Sequence, residues 1–153
     1  MSNPAEILVC QPIVYLPSKS RIGTQTNGSR NRRAVFFDRD GTLIEDIGYL
    51  TNAADIKFLG GAKESIRLLQ DQFLIIIITN QSAVGQGLID EDDLLRIHQS
   101  LVAHLLAEET YIDAIYSCPH HPESARPPYR IWCDGRKPEP GMLQKAAHQF
   151  DIQ

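Results

Sequence analysis

Asp38 and Asp40 end a short apolar run, Ala34-Val35-Phe36-Phe37, and lead into Gly41-Thr42-Leu43. In an extended chain, residues i and i+2 point to one side. Two carboxylates on one side can divide the work of phosphoryl transfer. One attacks phosphorus and forms an aspartyl-phosphate. The other protonates the leaving oxygen, then takes a proton from the hydrolytic water. Their mutual repulsion, and that of the phosphate, calls for a cation, and Mg²⁺ is expected. Gly41 would let backbone N–H groups approach the phosphate closely. Asp-Gly is also a common turn pair. The apolar run in front and Thr-Leu behind favour a strand end over a surface turn.

Thr79-Asn80-Gln81-Ser82 ends the most apolar run of the chain. A hydroxyl and an amide at Thr79 and Asn80 can donate to a phosphate oxygen. Alone, such residues are more often helix or turn caps; beside the Asp pair, the phosphate role is the better reading. A lone lysine is usually solvated, but Lys137 stands in Arg136-Lys137-Pro138-Glu139-Pro140. Held by prolines, it can be a fixed point charge against a phosphate and a nucleophile. Cys118-Pro119-His120-His121-Pro122 with Cys133 has metal-like spacing. Structural zinc takes four ligands, and only Cys118, His120 and Cys133 are evident. His121 and Asp134 are possible fourths. The bland alternative is two free thiols and two surface histidines.

These groups need strand ends to carry them. Ala34–Phe37 reads as a buried strand. Phe73–Ile78, without polar alternation, reads as a strand covered on both faces, as in a parallel sheet. Ile112–Tyr116 is a third candidate. Between them, Ala62–Gln70 reads as a short helix. A second follows Asp90, which can cap a first turn of Glu91, Asp92 and Asp93, with Leu94, Ile97, Leu101 and Leu105 at helical spacing. Residues 118–138 hold five prolines and read as loop. Pro140 suits the first turn of a last helix through Phe150. Alternating strands and helices give an α/β fold with a mainly parallel sheet, whose sites form at carboxyl ends of strands. Residues 1–33 are a separate N-terminal extension, expected to be poorly ordered. Ile7-Leu8-Val9-Cys10 and Ile13-Val14-Tyr15-Leu16 are broken by Pro12, and a polar linker runs from Ser18 to Arg33. Residues 34–153 form the domain proper.

From Ala34 to the last residue the chain resembles the haloacid dehalogenase (HAD) superfamily, and within it the D-glycero-D-manno-heptose 1,7-bisphosphate phosphatases. The resemblance rests on Asp38-Arg39-Asp40-Gly41-Thr42-Leu43-Ile44, Gly48-Tyr49-Leu50, Thr79-Asn80-Gln81-Ser82, Cys118-Pro119-His120-His121-Pro122 and Arg136-Lys137-Pro138-Glu139-Pro140-Gly141-Met142. It implies a Rossmann-like three-layer α/β/α fold. It also implies that Asp38 is the nucleophile and Asp40 the general acid/base. Thr79, Asn80 and Lys137 would bind phosphate, and Arg136 would help hold the substrate. Mg²⁺ would use the Asp38 carboxylate and the Asp40 carbonyl, and zinc would use Cys118, His120 and Cys133. The product would feed lipopolysaccharide synthesis. Two departures stand out. Gly135 replaces a cysteine that completes the zinc set, and the chain stops before a strand whose acidic motif completes the Mg²⁺ site. That strand would lie beside Ala34–Phe37. One way to cover the edge is for the apolar runs of the extension to fold back onto it.

Composition narrows the function further. The 153 residues carry a net charge of −4. The only basic cluster is Arg30-Asn31-Arg32-Arg33, so a nucleic-acid partner is not expected. Three cysteines are an odd count, against a disulfide framework. No apolar stretch reaches membrane-spanning length and no secretion signal is visible, so a cytoplasmic protein is expected. A monomer is expected too, and the resemblance implies a small sugar phosphate as its substrate. A rival enzyme is a histidinol-phosphate phosphatase. A rival of another class is a non-catalytic remnant that binds sugar phosphate or a partner protein.

Overall fold

In the computed structural model, which describes residues 11–18 and 32–153, the strands are β1 (Ile13–Tyr15), β2 (Ala34–Phe37), β3 (Leu74–Asn80) and β4 (Ala114–Cys118). The α-helices are α1 (Ala62–Leu69), α2 (Ser82–Gly85), α3 (Glu91–Leu106) and α4 (Gly141–Phe150). The strands form one sheet in the order β1-β4-β3-β2, with β2, β3 and β4 mutually parallel.

The unbroken apolar run explains the layering. Successive residues of β3 point to opposite faces, and both faces are covered. Ile75 and Ile77 pack with Ile66 of α1 and with Leu94, Ile97, Leu101 and Leu105 of α3. Leu74, Ile76 and Ile78 pack with Met142, Ala146 and Phe150 of α4. This is the expected three-layer α/β/α arrangement. Asp90 caps α3 as expected: its side chain accepts from Asp93 N–H, and the Asp93 carboxylate accepts from Asp90 N–H.

Two strands differ from their expected limits in ways that move the site. β3 runs on to Asn80, because Thr79 pairs with Ser117 and Asn80 with Cys118. Thr79 and Asn80 therefore lie in the strand rather than after it. β4 starts at Ala114, two residues later than expected, and ends on Cys118. Just before it, the Asp113 carboxylate accepts from Ile75 N–H at 2.8 Å, doing with a side chain what a strand carbonyl would do.

The extension also departs from expectation. Ile13–Tyr15 is a strand, antiparallel to β4 through Ile13–Ser117, Val14–Tyr116 and Tyr15–Ile115. β-branched and aromatic residues suit such a position, and the outer edge of β4 offers unpaired N–H and C=O groups that a strand can satisfy. Thus β1 covers the edge opposite β2, not the β2 edge itself. Beside β2, Ile152 bridges Arg32, and Gln153 N–H donates to the Arg32 carbonyl. The Ile7–Cys10 run lies outside the described residues.

Candidate active site

The carboxyl ends of β2, β3 and β4 bring the predicted groups to one end of the sheet. Asp38 leaves β2. Its Oδ1 accepts from Arg39 N–H at 2.8 Å, and its Oδ2 meets Lys137 Nζ at 2.5 Å. The Asp38 side chain is 42% exposed and Lys137 26%, so the pair remains open to a ligand. Lys137 Nζ also donates to the Ile78 carbonyl at 3.2 Å.

Asn80 holds the backbone of Lys137. Its Oδ1 accepts from Lys137 N–H at 3.0 Å, and its Nδ2 donates to the Lys137 carbonyl at 3.2 Å. The amide grips the backbone that carries the lysine, using one of the two N–H groups of Nδ2. Lys137 precedes Pro138 through a cis peptide bond.

Asp40 is gripped from one side. Arg39 Nε and Nη2 each donate to both of its carboxylate oxygens, at 3.2 and 3.0 Å. Arg39 itself is buried. Gln81 Nε2 adds a bond to Asp40 Oδ2 at 2.9 Å and another to Thr79 Oγ1 at 2.7 Å. Thr79, a member of this network, is buried. Sequence reasoning placed Gln81 at a strand end but gave it no task, and passed over Arg39; both roles depend on contacts across more than one strand.

Gly41 has a φ of +74°, which suits glycine. Its N–H donates to the Ile44 carbonyl at 2.9 Å, so its own amide shapes the turn after the Asp pair.

Arg136 bridges two parts of the site. Its Nη1 donates to Ser82 Oγ at 2.9 Å and to the His120 carbonyl at 3.0 Å. Cys118, His120 and Cys133 come together as expected, with all ligand atoms within 4.8 Å of one another. The two Sγ atoms are 3.4 Å apart, and His120 Nδ1 lies 3.8 Å from Cys118 Sγ and 3.6 Å from Cys133 Sγ. Two thiols and an imidazole are soft and borderline donors that suit zinc. Burial disfavours protonation of His120, with Glu91 opposing, which suits a neutral ligand. Of the possible fourths, His121 Nδ1 instead accepts from Glu123 N–H. The loop holding His120 packs on α2 and on the start of α3: Arg126 N–H donates to the Gly85 carbonyl, and Tyr129 Oη donates to Glu91.

Residues 33–153 match the family model described as polynucleotide kinase 3 phosphatase. The chain is 38% identical over 120 residues to the D-glycero-beta-D-manno-heptose-1,7-bisphosphate 7-phosphatase of Photorhabdus laumondii, covering 78% of this chain and 64% of that one. The Escherichia coli K12 protein of the same name is 36% identical over 120 residues, covering 78% and 63%. A solved D,D-heptose 1,7-bisphosphate phosphatase from B. bronchiseptica, complexed with magnesium and phosphate, superimposes with a TM-score of 0.68 at 31% identity, over 78% of this chain and 64% of that one. A Mesorhizobium loti structure described as HAD-like superimposes with a TM-score of 0.76 at 25% identity, over 80% and 59%. The chain thus spans less than two thirds of the length of these relatives.

Proposed function

We propose, from the premise that this chain belongs to the polynucleotide kinase 3 phosphatase family and has the HAD fold, that it hydrolyses a sugar phosphate monoester. The substrate that the relatives' names favour is D-glycero-D-manno-heptose 1,7-bisphosphate, cleaved at its 7-phosphate. One observation carries the reading: a partly exposed carboxylate, Asp38, meets a fixed ammonium, Lys137, at 2.5 Å beside a second carboxylate two residues on.

Asp38 Oδ attacks phosphorus, and the P–O bond to the sugar breaks. Asp40 gives its proton to the departing alkoxide. Water then attacks phosphorus, Asp40 takes its proton, and the Asp38–phosphorus bond breaks to release phosphate. Lys137 and the Thr79 hydroxyl hold the phosphoryl oxygens, and Arg136 holds the rest of the substrate. Asn80 keeps the Lys137 backbone in place.

The described residues offer Mg²⁺ the Asp38 carboxylate and the Asp40 carbonyl. Hard oxygen donors fit this ion, which keeps several waters when proteins supply few ligands. When bound, it would neutralise charge on the phosphoryl oxygens. Cys118, His120 and Cys133 would supply three of the four ligands of a structural zinc. The zinc would tie β4 to the segment leading into Arg136.

No helix among the described residues is long and apolar enough to cross a membrane. A cytoplasmic monomer feeding lipopolysaccharide synthesis completes the proposal. Steady-state hydrolysis of heptose 1,7-bisphosphate and of histidinol phosphate by this chain with Mg²⁺ tests it. Higher kcat/KM with the heptose ester, cleaved at C7, is expected. Preference for histidinol phosphate, or phosphate release from neither, would overturn it.

A further inference from the structure

We infer that Gln81 is a positioning residue that sets the proton donor and the phosphate-binding hydroxyl together; this rests on the phosphatase reading above. Gln81 is 4% exposed, and its amide makes three hydrogen bonds. Oε1 accepts from Arg39 Nη2 at 2.8 Å. Nε2 donates to Asp40 Oδ2 and to Thr79 Oγ1.

The chemistry of the partners decides the amide's orientation. Arg39 has only donors, so the Gln81 atom facing its Nη2 must be the acceptor Oε1. Turning the amide over would set an N–H₂ against a guanidinium. The arrangement therefore has one low-energy form.

Each bond has a consequence at a reacting group. Thr79 Oγ1 accepts a hydrogen bond from Gln81 Nε2, so its own single O–H is left to donate to a phosphoryl oxygen. Without Gln81 that hydroxyl can rotate. Asp40 receives Gln81 Nε2 and the Arg39 fork, which fix the direction of its carboxylate. Arg39 alone cannot do this as well, because it adjoins Asp40 and moves with the same backbone. Gln81 lies 41 residues further on, at the end of β3, and references Asp40 to the neighbouring strand.

Leaving-group chemistry separates this role from a merely structural one. A sugar alkoxide needs a proton as it leaves, whereas a 2,4-dinitrophenolate does not. Gln81→Met keeps length without polar groups. Gln81→Glu still accepts from Arg39 but has no N–H for Asp40 or Thr79. Both variants of the full chain, checked by thermal melting, are assayed on the sugar phosphate and on 2,4-dinitrophenyl phosphate. Losing a hydrogen bond to a charged group predicts that sugar phosphate turnover falls roughly 10- to 100-fold more than dinitrophenyl phosphate turnover. Inorganic phosphate should also inhibit both variants less well than wild type. Equal falls with the two esters, or no fall, overturn the inference and leave the phosphatase reading standing. A wild type that hydrolyses neither ester overturns that reading and this inference with it.

Discussion

Lys137 Nζ lies 2.5 Å from Asp38 Oδ2, while both backbone polar groups of Lys137 are bonded to the Asn80 amide. Neither arrangement is local: Asn80 and Lys137 are 57 residues apart. The end of β3 thus aims a cation at the carboxylate that ends β2. A lysine is a flexible point charge, and the two Asn80 bonds give this one a fixed base. Asn80→Ala should lower kcat/KM for a phosphate ester by roughly tenfold, from the loss of two ordinary hydrogen bonds. Lys137→Ala should lower it further. Steady-state kinetics check both, and an Asn80→Ala enzyme with unchanged kinetics would show that the clamp is dispensable.

His98, on α3, is buried and its pKa is pushed down to about 3 by burial and then by the Arg39 charge. Its ring packs 6.4 Å from that of Tyr15, so the histidine lies between β1 and the Asp40 network. A histidine lowered in this way binds fewer protons folded than unfolded between pH 6.5 and about 3. Its stabilising effect is complete above pH 6.5 and is lost as the pH falls toward 3. At pH 5 the loss is about 2 kcal/mol. Urea titrations at pH 7.5 and pH 5 should therefore show His98→Leu losing about 2 kcal/mol less than wild type between the two conditions. Parallel losses would mean that His98 is not neutral in the fold.

Gly85 ends α2 where the proline-rich loop crosses it. A Cβ there would stand 2.8 Å from the Pro119 carbonyl and would collide with Ser124 Oγ. Gly85→Ala should destabilise the chain by about 1–3 kcal/mol, the usual cost of overpacking. The loop that holds His120 would be displaced, so zinc content should fall too. Thermal melting with elemental analysis checks this, and an unchanged melting temperature would mean that the loop yields freely.

Cys118, His120 and Cys133 leave tetrahedral zinc one position short. Gly135→Cys supplies a thiol in the place where the resembled family carries one. It should tighten zinc binding by roughly tenfold or more, since a third thiolate, as the fourth ligand, closes the site. Competition against a chromophoric chelator measures the change. Equal affinity in both proteins would mean that a fourth ligand is already present.

Much of this site was legible because its residues follow apolar strands. The unalternated run at β3 announced a parallel sheet, and polar groups at its end could only lie at the carboxyl edge. Residue type and spacing singled out Asp38, Lys137 and the Cys118–His120–Cys133 set, and the family resemblance supplied their expected roles. Other features needed the third dimension. Asn80 reads as a phosphate donor or a cap, and only the position of Lys137 reveals its two bonds to the lysine backbone. Gln81 becomes informative once β2 and β3 are side by side. Nothing local distinguishes the pairing of Ile13–Tyr15 with β4 from pairing with β2. The late start of β4 depends on the Asp113 carboxylate replacing a backbone acceptor, which no propensity encodes.

The central claim is that Asp38 carries the phosphoryl group during turnover. The most direct measurement is acid quench of the chain during hydrolysis, borohydride reduction and peptide mass spectrometry. An acyl phosphate at Asp38 would be reduced to homoserine at that position, and Asp38→Asn should neither turn over nor be labelled. Hydrolysis that proceeds with residue 38 unmodified, or that survives Asp38→Asn, would contradict the account.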